Sequence, residues 1–349
     1  MLVDPASLEL TPAGPLVIGR LADDERFKLE LPSSQLEIVT PPSATVGGLA
    51  EPLLSARKTL AEAAEGAALA LGVPVHPFSP GLGELNDSDR YTRTIVEYAQ
   101  VARRQLVCAL QVHVGIGDAD RALAVYNVVR SYLPLLAALA ANGPFYEGHD
   151  TGLASVRPKL SELLPRQGVP PALASWEQLA GIFAWGATSG NFETPRTWWW
   201  ELRPHVSYGT LEFRVPDAQS TIGDGLAIAA VIQALVAWLG ERHDEGERDH
   251  IAEPFLIAEN RWSACRHGLE GTMADLQTGR RRATRDCLNE LLDTLTPVAD
   301  RLGCRRELDQ ARALAIRNGA IAQREVAADG GVRAATAWLA ERFLVPPSG

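Results

Sequence analysis

Hydrophobic and polar positions alternate most clearly over residues 106–115, LVCALQVHVG. Leu106, Cys108, Leu110, Val112 and Val114 fall on one side; Val107, Ala109, Gln111, His113 and Gly115 fall on the other. A period of two marks a half-buried strand. Residues 209–215, GTLEFRV, repeat it, with Thr210, Glu212 and Arg214 opposite Leu211, Phe213 and Val215. Shorter strands are expected at 27–31 and 35–40, around Pro32-Ser33-Ser34 and closed by Pro41-Pro42. Residues 2–10 read as the end of a strand and a polar turn. Helical spacing covers 50–72, closed by Gly72 and Pro74, then 89–103, 118–142 with an interruption at Pro134, 175–187, and nearly everything from Gly223 onward. The most apolar run, LAIAAVIQALVAWLG at 226–240, has 15 residues and contains Gln233. That is short of the roughly 20 residues of a membrane span, so a buried core helix is expected. Without repeats or a separating linker, the pattern predicts one α+β domain over 1–349, strand-rich in 1–216 and helical in 217–349.

Composition narrows the function classes. The 349 residues carry 33 basic and 43 acidic side chains, a net charge of −10. An acidic chain is a poor general binder of nucleic acid, although a local basic pocket for phosphates remains compatible. Four cysteines show neither C-x-x-C nor cysteine–histidine metal spacing. No basic-then-apolar leader opens the chain, so a reducing cytoplasm is the expected location. There is no G-x-S-x-G elbow, P-loop or G-x-G-x-x-G fingerprint.

The candidate chemistry lies on the polar sides of the predicted strands: Gln111 and His113; Thr210, Glu212 and Arg214; Gln35, Glu37 and Val39. Glutamates beside a histidine suit Mg²⁺ or Mn²⁺, which favour hard oxygen ligands. An arginine two positions from a glutamate points the same way and can fork onto a phosphate. The pattern alone more readily describes a solvated face with cross-strand ion pairs. His76 before Pro77 reads as a loop-fixing residue, and Asp150 in GHDTG as a turn or capping residue. Of Trp198-Trp199-Trp200 at least one is expected in the core. Trp238, Trp262 and Trp338 are expected to pack on helices.

Eight strings occur in order along the chain: LPSSQLEIVT (31–40), HPF (76–78), DRYTRT (89–94), LQVHVG (110–115), GHDTGLASVRP (148–158), WWELRPHVSYGTLEFRVPDAQ (199–219), NRWSACRHGLEG (260–271) and ADGG (328–331). Together they resemble the YbdK-type carboxylate–amine ligases, the second class of glutamate–cysteine ligases. The resemblance implies a glutamine-synthetase-like α+β fold, with a curved, mainly antiparallel sheet and flanking helices. It also implies ATP with Mg²⁺ or Mn²⁺ held against that sheet. The implied reaction joins a glutamate-like carboxylate to cysteine or another amine through an acyl phosphate, without a protein nucleophile. By the same resemblance Glu30, Glu37 and Glu212 match metal ligands. Arg214 matches a phosphate contact, Arg203 a substrate carboxylate or phosphate contact, and His113 the second histidine of a His-x-His strand. Arg261 and Arg266 stand in a string that serves core anchoring or ligand contact. Two departures are visible. Gln111 replaces the first histidine of His-x-His, leaving a neutral amide among the cofactor-binding positions. Met1 stands directly before Leu2, where the family carries a Gly-x-Glu-x-Glu strand. The expectation is therefore an active ligase or a catalytically weakened nucleotide- and amino-acid-binding relative. Its partners are small molecules rather than nucleic acid or membrane, and the apolar C-terminal third is compatible with a homodimer.

Overall fold

The computed structural model describes residues 1–21, 24–87, 89–192, 194 and 197–347. β1 (Leu2–Val3) ends where the Asp4 carboxylate accepts from the backbone N–H groups of Ala6 and Ser7, at 3.0 and 2.7 Å. This local turn competes with any longer strand, and the chain returns only as a bridge between Val3 and Leu10. α1 (Gly14–Arg20) starts with proline in its first turn. β2 (Phe27–Leu29) and β3 (Leu36–Ile38) form the expected hairpin, both shortened. Its connection turns inward: Ser33, Ser34 and Gln35 are buried, and the Gln35 carboxamide pairs with both backbone groups of Val107. α2 (Ala50–Ala64) stops well short of 72. Gly66 adopts a left-handed φ of 73°, and β4 (Leu69–Ala70) then pairs with β1.

α3 (Asp89–Arg103) carries a break at Ala99, where φ is 45°. β5 (Val112–Gly115) is the regular part of the strand predicted over 106–115. The remainder stays extended, but proline interrupts its ladder. Leu110 donates to the carbonyl of Pro216 and Cys108 to that of Pro74, and neither proline has an N–H to return the bond. The helix expected over 118–142 is two helices, α4 (Ala119–Val129), capped by Asp118, and α5 (Leu133–Ala140), which Pro134 opens rather than breaks. β6 (Phe145–Tyr146), β7 (His149–Asp150) and α6 (Arg157–Ser161) follow. α7 (Trp176–Ser189) is capped by the Ser175 side chain and closed by a left-handed Gly190.

β8 (Leu202–His205) and β9 (Thr210–Phe213) complete a three-stranded sheet in the order β5-β9-β8. After it come α8 (Ile222–Asp244), α9 (Pro254–His267), β10 (Thr272–Ala274), β11 (Arg281–Ala283), α10 (Thr284–Leu302), α11 (Arg305–Ile316) and α12 (Gly319–Glu341). The β10–β11 hairpin is a strand pair inside the third expected to be helical. One face of the three-stranded sheet, with Leu202, Leu211 and Phe213, packs into the main core formed by α4, α5, α8, α10 and α11. Burying side chains of this size contributes about 1.5–3 kcal/mol each. α8 is longer than the apolar run that predicted it, because Thr221 caps it early and the polar residues 241–244 continue it. By length and composition α8 and the run Ala119–Ala140 are both sufficient to cross a membrane, but 67% and 61% of their apolar windows are buried inside the fold. Among the described residues the strands form five separate small sheets, and every ladder between named strands is antiparallel. The antiparallel pairing and flanking helices expected of the fold are present, the pairing as several short ladders.

Candidate active site

The register aligns His113, Glu212 and Arg203 in one row across β5, β9 and β8, and Gly115, Thr210 and His205 in the next. Alternation puts this polar set on the face away from the core. Glu212 lies at its centre, only 1% exposed. Arg203 grips the carboxylate through Nε and through Nη2 at 3.3 Å, and Arg214 Nη1 donates to it at 2.6 Å. Burial pushes the Glu212 carboxyl up, but the Arg214 and Arg203 guanidiniums outweigh it and hold the group below the usual carboxylate range. Arg203 is itself fixed by donating Nη1 to the Trp198 carbonyl at 2.9 Å.

Arg214 owes its position to an irregularity. Between the pairs Val112–Phe213 and Ala109–Asp217, three residues on one strand (Arg214, Val215, Pro216) stand opposite two on the other. Such a bulge bends the strand and re-aims its side chains. The Arg214 N–H still donates to the Glu201 carbonyl at 2.7 Å, extending the pairing with β8. Arg214 makes one side-chain hydrogen bond, to Glu212; its other nitrogens make none among the described residues. The side chain is 19% exposed, on the polar face.

Beside this centre is a cluster of rings. His113 Nδ1 is 2.9 Å from Thr210 Oγ1. His205 and the exposed Tyr208 stack at 4.2 Å, and both meet His113 edge-on. Burial lowers the His113 pKa first; Glu212 opposes it, while His205, Arg203 and Arg214 lower it further. Sequence reasoning missed His205 and Tyr208. The signals were the period-two alternation of 202–205 and the Ser-Tyr-Gly turn, where Gly209 takes a φ of 63°.

The expected metal ligands are less concentrated. Glu30 follows β2, close enough for its charge to bear on Arg214. Glu37 sits opposite Lys28 on the separate β2–β3 hairpin, and Gln111 is exposed beside the bulge. Among the described residues no three His, Cys, Asp or Glu side chains are grouped to hold a metal ion, and both Glu212 oxygens already receive arginine. The arrangement therefore does not fit a three-carboxylate cage.

The other motif residues are structural joints. Trp198 is the core tryptophan, edge-on to Phe183, while Trp262 is nearly half exposed beneath the Lys159 ammonium, contrary to the packing role expected of it. Glu201 and Arg261 form a buried bidentate pair with Nε–O distances of 2.7 Å, and Arg261 also grips Glu162. Arg157 pairs with buried Asp217 at 2.7 Å. Asp150 makes the expected turn, accepting from the Gly152 N–H, and also pairs with Arg324. Arg266 anchors the same loop through the Gly152 carbonyl. His76 fixes its loop as expected: Nδ1 accepts from the Ser79 N–H at 2.8 Å, and Nε2 meets the Leu8 carbonyl at 2.8 Å.

The sheet thus has one apolar face in a helical core and one face carrying arginine, glutamate and histidine. The glutamate–cysteine ligase family 2 model matches residues 6–337, and the chain belongs to that family. It is 37% identical to a protein of Rubrobacter xylanophilus provisionally named glutamate–cysteine ligase 2-3, over 97% of this chain and 94% of that one. It is 33% identical to a similarly named protein of Gloeobacter violaceus, over 93% and 89%. Among solved structures, the glutamate–cysteine ligase of Francisella tularensis in complex with AMP superposes with a TM-score of 0.69 at 12% identity, covering 92% of this chain and 81% of that one. A bifunctional glutathione synthetase from Pasteurella multocida gives 0.64 at 14% identity, over 92% and 48%. These two show the fold. The family makes this a glutamate–cysteine-ligase-like enzyme.

Proposed function

We propose that the chain is an ATP-dependent carboxylate–amine ligase that joins the γ-carboxylate of glutamate to cysteine or a related amine. The observation that carries this reading is the Arg203–Glu212–Arg214 cluster on the open sheet face. A buried carboxylate there holds two guanidiniums in place, and Arg214, 19% exposed, still has nitrogens that make no hydrogen bond among the described residues. Preorganised cations of this kind stabilise charge that develops on a transferring phosphoryl group. In the proposed reaction a glutamate γ-carboxylate oxygen attacks the γ-phosphorus and ADP leaves. The amine then attacks the acyl carbon, and phosphate departs with the carboxylate oxygen. Family membership and the AMP complex of the Francisella fold relative support a nucleotide on this scaffold. Mg²⁺ is proposed to arrive as the companion of ATP, since it commonly shares one or two carboxylates with substrate phosphates and keeps several waters.

The test is ADP release by the full chain with MgATP, glutamate and a panel of amines. Turnover that requires all three components supports the reading, and Glu212→Gln should lower it by at least about a hundredfold. Saturable ADP binding without turnover on any amine would instead make the chain a non-catalytic relative.

A further inference from the structure

On the helical side, away from the sheet face, the first turns of α8 and α12 and the ends of α11 and α12 line a cavity of about 260 Å³. One water needs only about 10–15 Å³ of such space. Its lining includes one acid, Asp224, and two arginines; Arg317 is paired with Glu325 at 2.6 Å, while Asp224 and Arg342 make only a long ion pair. Asp224 Oδ1 accepts from the Gln310 amide at 3.2 Å, while Oδ2 stands 3.9 Å from Arg342 Nη2, beyond hydrogen-bond range. The Arg342 guanidinium lies over the Trp338 ring at 4.5 Å. None of its nitrogens makes a hydrogen bond among the described residues, and Nε is buried without a partner. Gln219 uses its amide nitrogen on the Ala140 and Asp217 carbonyls, and its oxygen has no donor among the described residues.

A cation and an anion facing the same opening, each with unused hydrogen-bonding capacity, match a small molecule carrying both charges. We propose that this cavity binds a free α-amino acid, its carboxylate on Arg342 and its ammonium on Asp224. Arginine receives a carboxylate through two parallel N–H groups. Asp224 accepts an ammonium, a group that inorganic phosphate and simple dianions lack. The Gln219 oxygen provides a further acceptor for the ammonium, and the Trp338 face backs the arginine. The site is separate from the sheet-face cluster and does not depend on its chemistry.

Calorimetry on the full chain without ATP, using the individual L-amino acids, tests this. At least one should bind saturably with one site, and its N-acetyl and α-amide derivatives should not. Arg342→Gln and Asp224→Asn should each weaken binding at least about tenfold, the scale of one lost charged hydrogen bond. Ala313 lines the cavity at an exposed position, so Ala313→Trp should block binding without disturbing the core. Failure of every amino acid to bind overturns the proposal. So does binding that survives both Arg342→Gln and Ala313→Trp, because the amino acid would then sit elsewhere, such as on the sheet face.

Discussion

The Glu212 and Glu201 clusters use the same chemical groups and end in different states. In both, a nearly fully buried carboxylate is gripped by arginine, and the two are joined through the Arg214 N–H and the Glu201 carbonyl. Glu201 and Arg261 face each other inside the fold, with side chains 6% and 4% exposed, and Glu162 takes a further Arg261 nitrogen. Glu212 holds arginines 14% and 19% exposed, and Arg214 keeps nitrogens without a hydrogen bond among the described residues. A closed cluster fixes α9 to the loop before β8. An open one leaves charge accessible on the sheet face. The pairing chemistry is the same in both; what differs is exposure and the Arg214 nitrogens that make no hydrogen bond among the described residues.

The comparison fails if the closed pair proves dispensable. Arg261→Met leaves Glu201 buried without its partner and should cost about 3–5 kcal/mol of stability, read by denaturant unfolding. A loss below about 1 kcal/mol would place Glu201 and Arg261 on equal terms with the surface pairs. Arg214→Gln should behave in the opposite way. ADP release should fall about 10²–10³-fold, corresponding to about 2.7–4 kcal/mol of transition-state stabilisation, while the melting temperature moves by no more than about 2–4 °C. Unchanged turnover would remove Arg214 from the site.

His76 and Tyr208 extend the contrast. His76 is closed into its loop, and burial holds its pKa down to about 4 from 6.5. The unfolded chain therefore takes the proton first. Stability should fall by about 3 kcal/mol as pH drops from about 6.5 to about 4, and change little from this source above 6.5. His76→Asn should flatten that part of a melting-temperature profile; an unchanged slope would mean another group carries it. On the open face, Tyr208 is 69% exposed, and Tyr208→Ala should alter stability by only about 0.5 kcal/mol or less. A larger loss would show that the ring stack belongs to the fold.

The open cluster was legible in the sequence because it lies on a strand: in GTLEFRV, alternation alone sets Glu212 and Arg214 on one face. Resemblance to the family then added Arg203. Less could be read where an element's course depends on partners distant in the chain. Nothing local shows that Pro74 and Pro216 would cut the 106–115 strand short, or that residues 69–70 would leave a helical pattern to pair with residues 2–3. The closed joints were hidden for the same reason. Arg261 and Glu201 are 60 positions apart, as are Arg157 and Asp217, and only packing brings them together. For Glu30, Glu37 and Glu212 the sequence offered a residue type and a family pattern but no positions in space; Glu37 and Glu212 stand on different sheets, and both Glu212 oxygens receive arginine.

The central claim is that this family member activates a carboxylate with ATP, and isotope transfer tests it most directly. Glutamate carrying ¹⁸O in its γ-carboxylate is incubated with the full chain, MgATP and the amine that supports turnover, and the released phosphate is analysed by mass. One ¹⁸O per phosphate is predicted, because the oxygen that attacks phosphorus leaves with it when the amide forms. Phosphate released at the rate of amide formation but without the label would contradict the acyl-phosphate route.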